Sequence, residues 1–232
     1  HLLKESLKNF RKPAGHLEGH PIPSSAEPWI KVASGSLGQG LSIGLGCALA
    51  QKILKNEART YVLLGDSEVA EGSIYEACQL AAFYKMKNLV AIMDMNRLGQ
   101  RGQTMLGHDE DAYAKRFRGF GWSTFKVDGH DISSLKRAFA NARKSLKPSI
   151  IIAKTFKGKG VSFIENEGGW HGKALSKEEL ERALKEIPSP QMPNIELQSP
   201  RELKIRAKAT TKEKVPSLNF NQEIATREAY GY

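Results

Sequence analysis

Two polar side chains in this 232-residue sequence follow two successive apolar runs. Asp66 comes after the run 61–64, and Asn96 stands 30 positions later, after the run 89–93. That spacing matches one strand–helix–strand unit, so neighbouring parallel strands would bring the carboxylate and the carboxamide to one edge of a sheet. Both groups offer hard oxygen ligands, which suit Mg²⁺ together with phosphate oxygens. The spacing therefore favours a metal–diphosphate site, while simple capping of two loops is the alternative.

A glycine-rich segment offers a second place for phosphate. Residues 35–40, GSLGQG, stand at the start of a predicted amphipathic helix over 36–55, where free backbone N–H groups favour anions. The segment has neither the G-x-x-x-x-G-K-[ST] pattern of ATP-type phosphate loops nor the G-x-G-x-x-G pattern after a strand. Because each glycine inside a helix costs about 1 kcal/mol relative to alanine, we expect another backbone or a ligand to approach closely.

The elements that would position these residues alternate along the chain. Buried strands are predicted near 61–66, 89–93, 123–127 and 149–153, separated by helices near 73–86, 111–120 and 132–145. Such alternation requires crossover connections and a parallel sheet. We predict an α/β domain over residues 1–186, with a doubly wound parallel sheet and helices on both faces. We also expect the ligand site to lie at a switch point of that sheet.

The remainder of the chain differs in composition. Five of the ten prolines fall between Pro188 and Pro216, which predicts an extended linker over 187–220. Residues 221–232 begin a helical pattern, so we expect them to start another domain.

Charge and cysteine content narrow the possible partners. The net charge of +10 indicates anionic partners, and phosphorylated ligands are favoured. The densest basic stretch, Lys204–Lys214, holds no aromatic residue, so no nucleic-acid partner is expected. No run of 18 apolar residues exists, so no membrane partner is expected either. Cys47 and Cys78 exclude a four-cysteine zinc site, and both are predicted to be buried thiols in a reducing compartment, the cytoplasm.

Several segments, in the same order, resemble one enzyme family. They are SGSLGQGL at 34–41, LLGDSEVAEGS at 63–73, NLVAIMDMNRLGQ at 88–100, AKTFKGKG at 153–160, GWHGK at 169–173 and IATREAYG at 224–231. Together they resemble transketolase, a thiamine-diphosphate enzyme, over nearly the whole chain. The last segment resembles the start of that family's second, pyrimidine-binding domain.

The resemblance implies a thiamine-diphosphate-binding fold and its site residues. The expected cofactors are thiamine diphosphate and Mg²⁺, or Ca²⁺ in its place. The implied metal ligands are Asp66, the side chain of Asn96 and the carbonyl of Leu98. The implied cofactor contacts are Gly35, Ser36, Leu37, Asp66, Ser67, Asn96, Lys157 and His171. The implied catalytic residues are His20, at the substrate oxygens, and His171, for substrate contact and proton transfer.

The resemblance also implies an activity and partners. The family moves a two-carbon ketol unit from a ketose phosphate to an aldose phosphate. The expected partners are sugar phosphates and a pyrimidine-binding domain, on the rest of the chain or on a second subunit of a homodimer. We expect further helices before His1 and a second domain after Tyr232, so the 232 residues alone should be inactive.

One position departs from the family pattern. The family usually has glycine after the metal-binding aspartate, and this chain has Ser67. The serine either crowds the diphosphate or compensates through its hydroxyl, so a non-catalytic transketolase-like binding protein stays open. Another enzyme of the superfamily, such as a deoxyxylulose-phosphate synthase, is the other alternative, and the WHGK and RLGQ segments argue against it.

Overall fold

The structure is a computed structural model that describes residues 4–13, 15, 17–23 and 30–187. The helices are α1 Lys4–Leu7, α2 Gln39–Ile53, α3 Gly72–Phe83, α4 Glu110–Gly119, α5 Ile132–Lys144 and α6 Lys177–Glu186. The strands are β1 Thr60–Gly65, β2 Leu89–Met95, β3 Ser123–Asp128 and β4 Ser149–Lys154, and a 3₁₀ turn spans Glu68–Ala70. The predicted linker beyond Ile187 and the predicted start of a second domain lie outside the described residues.

The four described strands form one parallel sheet in the order β1-β2-β4-β3. Helices α2, α3 and α4 pack on one face, where Leu41, Ile74 and Phe117 join the main core. Helix α5 covers the other face through Ala138 and Ala142. This architecture confirms the predicted α/β fold with helices on both faces.

The predicted switch point is not found at Asp66 and Asn96. These residues follow β1 and β2, which are adjacent in both sequence and space. Within the described sheet, the chain continues in the same direction to β3 and reverses only between β3 and β4. The candidate residues therefore share a sheet edge because consecutive strands pair there.

Helix α2 shows why glycines are used near its start. A Cβ at Gly44 would stand 2.3 Å from Cγ2 of Val62, so this glycine lets the helix approach β1. A Cβ at Gly46 would meet no atom within 4 Å, and nothing in the structure explains this glycine. Leu37 and Ile53 lie within the amphipathic helix predicted over 36–55, yet both are at least half exposed, since Leu37 precedes α2 and Ile53 is its last residue.

The two cysteines differ in environment. Cys78 on α3 is buried, and burial raises the pKa of its thiol to about 12. Cys47 is exposed, which corrects the prediction that both thiols are buried. Cys47 lines an open cavity between α2 and β1, where small apolar neighbours in sequence do not guarantee burial. Among the described residues, no helix is long and apolar enough to cross a membrane.

Candidate functional site

Asp66 is a buried carboxylate at the carboxyl end of β1. Its residue is 3% exposed, and it accepts three hydrogen bonds within the described structure. Ser67 N–H donates to Oδ1 at 2.8 Å, while Arg97 N–H and the Thr104 hydroxyl donate to Oδ2 at 2.6 and 3.2 Å. Burial raises the pKa of Asp66 above its ordinary value, and these hydrogen bonds offset part of that rise. The residue thus combines a fixed orientation with a carboxylate that is costly to ionise unless a cation is near.

Asn96 and Leu98 follow β2, the strand beside β1. The Leu98 N–H donates to Asn96 Oδ1 at 3.0 Å, which fixes the amide within the turn. Leu98 pairs with Gln103 in an isolated antiparallel bridge whose hydrogen bonds join the flanking residues. In the part of the chain that the structure describes, no hydrogen bond to the Leu98 carbonyl is found.

These oxygen atoms fit a hard divalent cation. A carboxylate, an amide oxygen and an unpaired carbonyl are the oxygen types that Mg²⁺ and Ca²⁺ take, and each retains a free lone pair. No group of three or more His, Cys, Asp or Glu side chains in the described ranges could hold a metal. A cation bound here would therefore depend on amide and carbonyl oxygens as well as on Asp66.

The glycine-rich segment lies against the His20 ring. Gly35 has a φ of +114°, and a Cβ there would stand 2.3 Å from Cδ2 of the His20 ring. The Ser34 N–H also donates to the Pro21 carbonyl at 3.0 Å. Gly35, Ser36 and Leu37 line a cavity of about 490 Å³, shared with residues of α2 and β1. Alanine at Gly35 would displace the histidine.

Lys157 and His171, predicted from separate segments, lie side by side. The Lys157 Nζ atom is 3.4 Å from Nδ1 of His171, at the limit of a hydrogen bond. Both residues are in loops that follow β4, at the same sheet edge as Asp66. The pairing places an ammonium group and an imidazole together where a phosphorylated ligand could contact both.

His130 supports the loop that carries Lys157. Its Nε2 accepts a hydrogen bond from the Phe156 N–H at 2.8 Å, and its ring stacks on that of Phe156. His108 contacts Thr155, the residue before Phe156: its Nε2 lies 3.0 Å from the Thr155 carbonyl oxygen. The two histidines are thus engaged with the backbone of the strand end.

Glu68 is a positioning residue that the sequence analysis missed. Its Oε1 accepts from Gly38 N–H at 3.0 Å, and its Oε2 accepts from Gly65 N–H at 3.1 Å. Ser73 completes the contact by donating its hydroxyl to the Gly38 carbonyl at 3.1 Å. These bonds tie the glycine-rich segment to the end of β1, so the two predicted phosphate-binding regions form one unit.

Arg97 is the second missed residue, and it joins Asp66 to the loop of Lys157. Its guanidinium donates to Asn166 at Oδ1 (2.8 Å) and at the carbonyl (3.0 Å), and Asn166 N–H donates to the Lys157 carbonyl at 2.7 Å. Arg97 and Asn166 have φ values of +64° and +62°, which non-glycine residues rarely adopt. Such strain is typical of functional sites, but no pattern in the sequence distinguishes this arginine.

The profile of one protein family, described as "Transketolase, thiamine diphosphate binding domain", matches residues 1–224. Human transketolase is 43% identical over 245 residues, covering 99% of this chain and 37% of the human protein. Human transketolase-like protein 2 is 42% identical over 234 residues, covering 98% of this chain and 37% of that protein. The chain therefore spans little more than a third of the length of these relatives.

Solved structures agree with the sequence relatives. A crystal structure of transketolase from Campylobacter jejuni superposes with a TM-score of 0.70 at 33% sequence identity. The match covers 78% of this chain and 29% of the bacterial one. The similarity in fold is thus accompanied by substantial similarity in sequence.

Proposed function

This chain belongs to the family of transketolase thiamine diphosphate binding domains, and we propose that it supplies the metal and diphosphate half of a transketolase site. The observation that carries the proposal is the buried Asp66 carboxylate, which accepts the Arg97 N–H from the turn that holds Asn96 and Leu98. Glu68 joins this group to the glycine-rich segment, and Arg97 joins it to the loop of Lys157. One sheet edge thus offers both cation ligands and anion-binding groups.

Each residue has a defined task in this proposal. Asp66, Asn96 and the Leu98 carbonyl would hold Mg²⁺, and the backbone of Gly35, Ser36 and Leu37 would line the diphosphate. When bound, thiamine diphosphate supplies the electron sink for breaking and making carbon–carbon bonds.

The cationic and imidazole side chains would act on the substrate. Lys157 would add positive charge near phosphate oxygens, and its ammonium group lies 3.4 Å from Nδ1 of the His171 imidazole. His171 would bind the substrate and transfer a proton, and His20 would contact the substrate oxygens beside Gly35. The proposed reaction is transfer of a two-carbon ketol unit between sugar phosphates.

The proposal includes a second domain and a homodimer in the cytoplasm. Helix α3 exposes Leu80 and Phe83 at 46% and 74%, and β1 exposes Leu63 at 72%. Apolar side chains that remain this exposed on regular elements support further protein surfaces against α3 and against β1.

Calorimetric titration with thiamine diphosphate tests the proposed function. We expect saturable binding to the 232-residue chain in the presence of Mg²⁺, and loss of that binding when the metal is chelated. The metal is required because the negative charge of the buried Asp66 carboxylate would otherwise repel the negative charge of the diphosphate. Equal binding with and without divalent cations would contradict the proposed site.

Cofactor binding should weaken as the pH falls, because the metal and a proton compete for Asp66. Burial raises the pKa of this carboxyl above 3.8, so the loss should begin at a higher pH than an ordinary aspartate would cause. Below that raised pKa, affinity should fall about tenfold per pH unit for one competing proton. Binding measured across pH checks this, with the protonation of free thiamine diphosphate titrated separately as the reference. An affinity profile that follows the protonation of the diphosphate alone would rule out Asp66 as a titrating ligand.

Ser67→Gly should leave Mg²⁺–thiamine diphosphate affinity unchanged or raise it. Ser67 has a φ of −64°, which any residue adopts, so glycine is not needed here for backbone conformation. The N–H that donates to Asp66 is retained in the variant, and removing the side chain can only open space at the diphosphate. Ser67→Ala serves as the control that removes the hydroxyl but keeps Cβ. A tenfold loss of affinity in both variants, about 1.4 kcal/mol, would instead show that the hydroxyl is a ligand.

A further inference from the structure

A second cavity, of about 540 Å³, lies at the end of the sheet opposite to Asp66. Helices α2, α3 and α5 end around it, just before β1, β2 and β4 begin. Six cationic side chains line it, and Glu57 is the only carboxylate among its lining residues in the described chain. The cations are Lys52, Lys55, Arg59, Lys85, Lys87 and Arg143.

Two of these cations join the helix ends. The Arg59 guanidinium donates to the carbonyls of Lys87 and Arg143, at 2.8 and 2.6 Å. The Lys52 ammonium donates to the Tyr84 carbonyl at 2.7 Å. These bonds explain Arg59 and Lys52 as structural residues that satisfy carbonyl groups near the helix termini.

Three other cations of the cavity have no hydrogen-bonding partner in the described chain. Lys55, Lys85 and Lys87 are exposed, and within the described residues their ammonium groups make no hydrogen bond or ion pair. The dipoles of α2, α3 and α5 place a negative partial charge of roughly −1.5 elementary charges in total at their C-terminal ends. With six cations and one carboxylate around the cavity, a large positive excess remains.

Lys55 and Lys85 also hold a backbone conformation that disfavours lysine. Lys55 follows Leu54, the C-cap residue of α2, and has a φ of +55°. Lys85 follows Tyr84, the C-cap residue of α3, and has a φ of +53°. Glycine is the usual residue at this position, because the Cβ of an L-residue is strained there. Attraction of the ammonium group to a helix end offsets only part of that strain. Two strained, unpaired lysines thus line the same cavity.

We propose that this cavity binds a compact, multiply phosphorylated small molecule at a site independent of the thiamine diphosphate site. The volume falls within the range of small-molecule sites, and the excess of cations requires a ligand with several negative charges. No aromatic side chain is among the lining residues of the described chain, so the stacking platform of a nucleic-acid surface is absent. Lys55, Lys85 and Lys87 supply the ligand contacts, and Arg59 holds the helix ends that carry them.

Calorimetry with inorganic tripolyphosphate tests this site. The titration is done on the full chain with divalent cations chelated, which removes the metal that the diphosphate site requires. Saturable binding with a 1:1 ratio is expected. The double variant Lys55→Gly, Lys85→Gly should lose at least tenfold in affinity while its melting temperature stays equal or rises, because glycine relieves the left-handed backbone.

Matched variants separate a built site from general attraction. Lys115→Gln with Lys136→Gln removes two positive charges from exposed positions on α4 and α5 outside the cavity, and should change affinity less than twofold. Lys55→Gln with Lys85→Gln removes the cavity charges without introducing glycine, and should repeat the tenfold loss. Absence of saturable binding, unchanged affinity in both cavity variants, or an equal loss in the control pair would overturn the proposal.

Discussion

Replacing Asp66 by alanine is expected to abolish Mg²⁺-dependent binding of thiamine diphosphate to this chain. Asp66 provides the only carboxylate of the proposed ligand set, and its orientation is fixed by Ser67, Arg97 and Thr104. Without it, Asn96 and Leu98 offer only neutral oxygens, which neutralise none of the cation's charge. We expect affinity to fall at least a hundredfold, about 2.8 kcal/mol, in a calorimetric titration.

Asp66→Asn is the control for the fold. The amide oxygen can still accept from the Arg97 N–H and the Thr104 hydroxyl, but the amide nitrogen cannot accept from the Ser67 N–H, so one of three hydrogen bonds is lost with the charge. Because burial raises the pKa of Asp66, its ionised form costs stability once the pH rises through that pKa, and removing the charge offsets the lost hydrogen bond. The metal-free Asp66→Asn chain should thus melt close to wild type at neutral pH, yet bind the cofactor as poorly as Asp66→Ala. Unchanged affinity in either variant would remove Asp66 from the metal site.

Ketol transfer is expected only when this chain is combined with a pyrimidine-binding domain. The resemblance implies a pyrimidine-binding domain as the partner that completes the site, and the chain spans 37% of human transketolase. Without that domain, a bound cofactor would be anchored but not activated. A coupled assay with xylulose 5-phosphate and ribose 5-phosphate should show no turnover by the mass-verified 232-residue chain, and turnover after addition of a folded second half.

The two arms of this assay test different statements. Turnover by the 232 residues alone would refute the idea that the site is divided between two domains. Failure of rescue, in a mixture where both parts are folded and bind each other, would count against transketolase activity and favour a transketolase-like binding protein. An Asp66→Ala chain with the same second half is the control for contaminating enzyme, and should give no turnover.

The fold followed from the sequence where periodicity was strong. The apolar runs of β1, β2 and β4 are short and bounded by polar residues, so their burial in a parallel sheet was predictable. Periodicity did not predict the exposure of Leu37 and Ile53, because it says which side of a helix is apolar but not where the covering sheet ends. The predicted burial of Cys47 was wrong, because small apolar neighbours in sequence do not guarantee burial.

The site was predictable only in part, since spacing identifies residues that can reach one sheet edge but not what connects them. Asp66 and Asn96 were brought together by one strand–helix–strand unit, as their separation implied. Glu68 and Arg97 act through hydrogen bonds to residues 30 and 69 positions away, which no local pattern reveals. The resemblance supplied the candidates Lys157 and His171, and only the structure shows their contact.

We propose that Asp66, Asn96 and Leu98 together hold a divalent cation on the diphosphate. The anomalous scattering of Mn²⁺, in crystals of this chain grown with Mn²⁺ and thiamine diphosphate, locates that cation directly. We expect one strong anomalous peak within about 2.5 Å of an Asp66 carboxylate oxygen, Asn96 Oδ1 and the Leu98 carbonyl oxygen, with diphosphate oxygens completing the shell. A bound diphosphate whose metal lies elsewhere, or a peak that lacks Asp66 among its ligands, would contradict it.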